Sequence, residues 1–233
     1  MLRKKIVAGG LCVLGISTAN AGLYAGAGLG PDTIDFKQKA HVVYFNPAFP
    51  AQGFNVRDET HLSGTGVFGT LFAGYGYHYH NRSYLAGEVN GNISSTVFNA
   101  SNREAIHGTH SSNHYKINNT FGVSLLPGFQ FTPDTLFYGR VGYTNAGFKV
   151  STSDSSLQNV DKRKDGFRWG LGGKRAISER MALRMEFSQS NYGSTTLRTL
   201  DPLSNVSKST KISPMQQLVE FALVYNFDSV QVA

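Results

Sequence analysis

Beyond residue 21 the chain contains no cysteine; its one thiol, Cys12, lies in the N-terminal segment. Disulfides, thiolate metal sites and thiol catalysis are thereby excluded from residues 22–233. Charged residues are also scarce, at 16% against roughly 25% in soluble domains. No stretch after residue 21 is apolar over the roughly 20 residues that a membrane-spanning helix requires. There is no glycine-rich phosphate loop, nucleophile elbow or zincin helix. The formal charge is +7, but Arg3, Lys4 and Lys5 contribute three of those positives and the others are interleaved with acids. That dispersion speaks against nucleic acid as a partner.

The N-terminal segment MLRKKIVAGGLCVLGISTANA has a basic start, an apolar run from Ile6 to Ile16, and Ala19-Asn20-Ala21. This is the layout of a secretory signal peptide with an A-x-A cleavage site, so residues 1–21 are expected to be removed. The apolar run is about half of what a spanning helix needs. Leu11 is too large for the small residue that a lipidated cysteine prefers before it.

What is abundant is glycine (26 residues) and aromatic side chains (12%). Residues 22–233 fit one all-β domain. Strand-like segments are expected at 22–30, 64–78, 83–96, 115–131, 136–149, 166–177, 181–193 and 214–227, most with clear alternation. Phe167, Trp169 and Leu171 oppose Arg168 and Lys174; Leu183, Met185 and Phe187 oppose Arg184, Glu186 and Ser188. Segment 64–78 is ambiguous, because Phe68 and Phe72 oppose Leu71 and Tyr75. The connections run about 33, 4, 18, 4, 16, 3 and 20 residues, long and short in turn, as in a transmembrane barrel with short periplasmic turns and longer outer loops. The predicted fold is an eight-stranded antiparallel up-and-down transmembrane β-barrel with four long extracellular loops and both termini periplasmic.

An eight-stranded barrel has an interior that side chains fill. The parity of the strands sends Tyr84, Glu88, Asn90, Lys116, Tyr138, Arg140, Arg168, Arg184, Glu186 and Glu220 inward. Glu88, Arg140, Arg184, Glu186 and Glu220 are expected to form a structural network, since charges in such a lumen must pair. In the last strand, Phe221, Leu223, Tyr225 and Phe227 form an apolar face, with DSVQVA following it.

Three stretches carry a family resemblance: GLYAGAGLG (Gly22 to Gly30), SLLPGFQFTPDTLFYGRVGY (Ser124 to Tyr143) and LVEFALVYNF at the end. With the N-terminal segment, they make the whole chain resemble small eight-stranded bacterial outer-membrane proteins: the OmpA-type transmembrane domain, the opacity adhesins and the attachment-invasion proteins. The resemblance implies a Gram-negative outer-membrane location amid lipids and lipopolysaccharide, insertion by the barrel-assembly machinery, and no cofactor. It also identifies Phe221, Leu223, Tyr225 and Phe227 as a C-terminal assembly signature, from which the six residues after Phe227 depart.

Function is then expected in the loops, as structural anchoring or as adhesion and host-factor binding. Two other classes have weaker support. Some lipid A deacylases carry His-x-Ser-Asn at a strand end, and SQSN (Ser188 to Asn191) supplies Ser190 and Asn191 without the histidine that would activate the serine. Loop histidines His107, His110 and His114, with His41 and His61, are metal-ligand types in no standard spacing. The first loop, 31–63, holds Phe36, Val42, Val43, Tyr44, Phe45, Phe49 and Phe54. Either it folds over the barrel mouth or it presents an apolar patch.

Overall fold

The computed structural model describes residues 21–44, 53–79, 82–103, 110–152, 160–201 and 206–227. The expected signal peptide, residues 1–21, falls outside them except for Ala21, and the tail after Phe227 falls outside them too. Ten strands follow in order: β1 (Ala21–Tyr44), β2 (Phe54–His78), β3 (Ser83–Ser94), β4 (Val97–Arg103), β5 (His110–Thr132), β6 (Thr135–Thr152), β7 (Val160–Ala176), β8 (Met181–Tyr192), β9 (Thr195–Asp201) and β10 (Val206–Asn226). The pairing order is β1-β2-β3-β5-β6-β7-β8-β10, and β1 closes the ring against β10. Every pairing is antiparallel, from Tyr24↔Asn226 at the closing seam round to Tyr225↔Met181. β4 and β9 continue the β3 and β8 staves after two-residue breaks, so the barrel has eight staves.

The strands overshoot their expected limits. β1 and β2 remain paired from Ala21↔Tyr77 to Tyr44↔Phe54, so most of the expected first loop is a hairpin arm. The other three long connections are likewise largely strand. Above Ser94 and Tyr192 the wall parts along two seams: β4 pairs with β5, and β9 with β10. The upper part of the molecule is therefore a crown of two four-stranded sheets, β2-β1-β10-β9 and β4-β5-β6-β7.

Side-chain alternation explains why one chain builds both parts. Within the barrel proper, Leu29, Val67, Leu71, Ile93, Val123, Leu125, Phe137, Leu171, Met185 and Phe221 face outward and exposed, while the buried charged and polar groups face in beside an apolar cluster that includes Phe72, Leu126 and Val224. On β5 this belt runs from Phe121 to Phe131; about ten steps at ~3.3 Å, tilted 35–45°, give about 25 Å of height, the thickness of a lipid belt. Above the belt the polarity inverts. Ile34, Phe36, Ile117, Ala146, Phe148 and Tyr192 turn inward and pack together, with Ile212 against them. Lys37, Lys39 and Glu59 face outward into solvent. With lipid outside, the apolar face must be outer; with water outside, it must be inner.

The ambiguous segment 64–78 resolves the same way: Phe68 and Phe72 are buried in the lumen and Leu71 and Tyr75 face out. The mouth is closed by Ile34 and Phe36 of the extended β1, from the stretch expected to be loop. Phe45 and Phe49 lie outside the described residues.

Candidate functional site: the lumen network and the outer face of the crown

At mid-barrel, four charged side chains form a closed ring of alternating sign. Arg140 Nη2 donates to Glu88 Oε1 at 2.6 Å and Arg140 Nε to Glu186 Oε1 at 2.7 Å. Arg184 completes the ring, with Nη1 on Glu88 Oε2 at 2.8 Å and Nη2 on Glu186 Oε2 at 2.6 Å. Glu220 joins by charge: its Oε1 is 3.1 Å from Arg184 Nε, without hydrogen-bond alignment. Arg168 lies 3.5 Å from Glu186 and donates to Ser188 Oγ through Nε and Nη2, at 3.1 and 2.8 Å. Glu88, Arg140, Arg168, Arg184, Glu186 and Glu220 are all buried, at 1–3% exposure, so each charge depends on its neighbours rather than on water.

Two tyrosines hold the glutamates from below. Tyr24 donates to Glu88 Oε2 at 2.9 Å and Tyr138 to Glu186 Oε2 at 2.8 Å. Both rings cross a glycine to get there. Register aligns Tyr24, Gly74 and Glu88 on β1-β2-β3, and Tyr138, Gly172 and Glu186 on β6-β7-β8. A Cβ on Gly74 would lie 2.5 Å from the Tyr24 ring, and one on Gly172 would lie 2.6 Å from that of Tyr138. Below the ring, the Lys174 ammonium rests 3.8 Å from the Tyr24 ring centre and within 6 Å of the rings of Tyr84 and Tyr138.

All five residues of the expected network are thus brought together, along with Tyr84, Asn90, Tyr138 and Arg168 on the same inner face. The side chain of Lys116 lies outside the described residues. Sequence reading missed a second polar layer beneath the crown. Asp32, 1% exposed, accepts hydrogen bonds from Thr96 Oγ1 (2.5 Å), Ser94 Oγ (2.6 Å) and Gln216 Nε2 (3.3 Å). The available signal was the even-numbered series Tyr24, Gly26, Gly28, Gly30, Asp32, which keeps one parity beyond the expected strand end. Phe221, Leu223, Tyr225 and Phe227 face outward on the last stave, exposed toward the lipid side.

Among the described residues, the other two constellations are not assembled into sites. Ser190 is buried in the lumen while Asn191 is exposed on the outer wall, so the pair cannot act on one substrate atom. His41 and His61 sit on adjacent strands, but register sets them opposite Arg57 and Lys37. His107 and the side chains of His110 and His114 lie outside the described residues. Among the described residues, no group of three His, Cys, Asp or Glu is placed to hold a metal ion.

On the crown's outer face, Glu59 bridges two lysines: Lys37 Nζ is 2.6 Å and Lys39 Nζ 3.1 Å from its oxygens. Hydrogen bonds from Lys37 and then Lys39 bring its carboxyl down to about 2.

A closed eight-stave barrel with an apolar belt outside and ionised, paired side chains filling its lumen is a membrane-spanning barrel. The chain belongs to the outer membrane protein beta-barrel domain family, whose model matches residues 7–227. That family resides in the Gram-negative outer membrane. No curated protein matches the sequence. Among solved structures, the chain is similar to the outer membrane protein OprG of Pseudomonas aeruginosa, at 13% identity over 90% of this chain and 98% of that one, with a TM-score of 0.47. It is similar to Ail, the attachment invasion locus protein of Yersinia pestis, in complex with the heparin analogue sucrose octasulfate: 14% identity, 85% and 99% covered, TM-score 0.34. It is also similar to the outer membrane protease OmpT of Escherichia coli, at 9% identity, 88% and 97% covered, TM-score 0.42.

Proposed function

We propose that this protein is a non-conducting outer-membrane barrel that serves as a structural and surface-interaction protein, meeting its partners with the crown. The observation that carries this reading is the filled lumen. The ring of Glu88, Arg140, Glu186 and Arg184 closes the middle, and the cluster of Ile34, Phe36, Ile117 and Phe148 closes the upper end. A solute would have to break buried ion pairs to pass, so exchange with the surroundings falls to the outer surface. In this reading residues 1–21 are a cleaved signal peptide and both termini are periplasmic. Phe221, Leu223, Tyr225 and Phe227 engage the barrel-assembly machinery, and lipopolysaccharide surrounds the crown, which also meets any host or surface ligand. No catalytic residues are assigned.

The test has two arms. In planar bilayers the purified protein should give no large, stable conductance; a persistent porin-sized current would overturn the filled-lumen reading. On whole cells, shortening the β1–β2 and β5–β6 arms should abolish surface attachment while leaving the barrel inserted. Attachment undiminished in both variants would reduce the role to anchoring.

A further inference from the structure

Above the charged ring, one buried carboxylate is bonded toward the foot of both seams in the wall. Asp32 Oδ1 accepts from Thr96 Oγ1, and Asp32 Oδ2 from Ser94 Oγ, at the break between β3 and β4. Asp32 Oδ2 also accepts from Gln216 Nε2, whose own Oε1 accepts from the Tyr192 hydroxyl at 3.1 Å. Tyr192 is the last residue of β8, at the break before β9. The chain of bonds thus runs from Tyr192 (β8) through Gln216 (β10) and Asp32 (β1) to Ser94 and Thr96, from one seam to the other. It crosses β2 at Gly66, where a Cβ would run into the Thr96 hydroxyl. Every member is buried, at 1–6% exposure.

The donors to Asp32 are two hydroxyls and an amide, and among the described residues no cation pairs with it. Burial strengthens each of these bonds and makes a missing one costly. Ser94 and Gln216 reach Oδ2 from strands on either side of β1, so loss of one frees the carboxylate to turn away from the other. Gln216 is held at both ends, and its amide cannot turn without dropping Tyr192 or Asp32.

Above this layer the two crown sheets share no strand pairing among the described residues. β2 stops pairing with β3 at Phe68↔Ser94, and β7 with β8 at Gly166↔Tyr192. The sheets meet there through the apolar cluster, with Ile34 and Phe36 from one, Ile117 and Phe148 from the other, and Phe148 edge-on to Tyr192 at 5.1 Å. Apolar packing is non-directional, so it holds the sheets together without fixing their angle. The hydrogen-bonded layer at their base is directional.

We infer that the crown is a two-leaved clamp and that Asp32 is the clasp coupling its two seams, so that loosening one loosens the other. The leaves are β2-β1-β10-β9 and β4-β5-β6-β7. β3 and β8 stop where the leaves part, and the clasp ties the first leaf to the ends of both. A partner that wedges one seam open pulls on the carboxylate, and the other seam loses its tie. Such coupling requires one shared element with two arrangements, here the carboxylate engaged or released.

The experiment uses residues 22–233 in phospholipid nanodiscs, with distances measured by double electron–electron resonance between spin-labelled cysteines. His61→Cys with Val97→Cys spans the first seam, and Arg163→Cys with Thr196→Cys the second; all four positions are exposed. Without further change each pair should give one narrow distance distribution. Ser94→Ala with Thr96→Val removes the bonds at the first seam only, and Tyr192→Phe the bond at the second only. Each should nonetheless broaden both distributions at least about twofold. Asp32→Asn, which turns one accepting oxygen into a donor, should broaden both as well. Thr70→Val, which removes a buried bond to Asn92 lower in the lumen, should leave both unchanged. Should Asp32→Asn fail to insert, the variants at the two seams still decide. Broadening confined to the altered seam would overturn the coupling, as would no broadening in either variant. Equal broadening by Thr70→Val would overturn it too, by showing that any lost lumen bond loosens the crown.

Discussion

Tyr138 and Glu186 meet across a glycine: the phenol donates to Glu186 Oε2 at 2.8 Å, its ring lying over Gly172, which register places between them. Tyr24, Gly74 and Glu88 repeat the arrangement on β1-β2-β3. The charged ring is therefore braced on two sides by the same three-strand device, and each brace depends on a missing side chain.

Gly172→Ala tests the brace. The added Cβ would sit 2.6 Å from the Tyr138 ring, so the ring must move and the hydrogen bond must lengthen or break. Overpacking of this kind costs about 1–3 kcal/mol. Tyr138→Phe removes a bond to a buried carboxylate, about 1.5–3 kcal/mol. Both changes strike one contact, so G172A/Y138F should lose clearly less than the two single losses added together. Urea unfolding from lipid vesicles reads this out, and strict additivity would count against the device.

Arg140→Met tests the ring itself. It leaves Glu88 and Glu186 each short of a partner, and an uncompensated buried charge costs about 3–5 kcal/mol. Heat and urea resistance should fall while membrane insertion persists. Exposed Arg175→Met should change stability by less than about 0.5 kcal/mol. Equal, negligible effects from both substitutions would show that the ring contributes nothing to stability.

The belt and the lumen were legible because lipid imposes a strict pattern. Leu183, Met185 and Phe187 alternate with Arg184, Glu186 and Ser188, and that parity alone sends the network inward. The crown was not legible, because the pattern changes phase where water replaces lipid. In β1, Ile34 and Phe36 are the inward residues and Lys37 and Lys39 the outward ones. A search for an outward apolar stripe stops at Leu29 and takes the remainder for loop. The braces were hidden for another reason: Gly74 and Gly172 matter through partners on neighbouring strands, which spacing along the chain does not reveal.

The crown's outer face should respond to acid in a defined direction. The Glu59 carboxyl is depressed to about 2 by Lys37 and Lys39, against about 4.3 for a free glutamate. A depressed folded value means the bridge contributes fully above the unfolded value and is lost as pH falls through about 2. Because Glu59 is exposed, the gain is small and screened by salt. Amide protection factors, taken relative to the intrinsic exchange rate at each pH, should therefore fall in β1 and β2 over residues 32–44 and 54–63 between pH 4 and 2, and Glu59→Gln should flatten that response. An unchanged profile in Glu59→Gln would assign the acid sensitivity elsewhere.

Orientation can be read with single cysteines, since residues 22–233 contain none. At one end of the barrel the staves close in tight turns: Tyr79 N bonds Ser83 O at 2.8 Å, and Ile177 N bonds Met181 O at 2.9 Å. At the other end the strands project beyond the belt into the two-sheet crown. In a barrel whose short turns are periplasmic, the crown lies outside the cell. His61→Cys, on the exposed outer face of β2, should react with a membrane-impermeant maleimide on intact cells. Glu179→Cys, in the exposed turn before β8, should react only after the outer membrane is permeabilised. Neither position lies in the lumen, so both variants should insert and differ only in which side they report. Labelling of Glu179→Cys but not His61→Cys on intact cells would invert the molecule and place the crown in the periplasm.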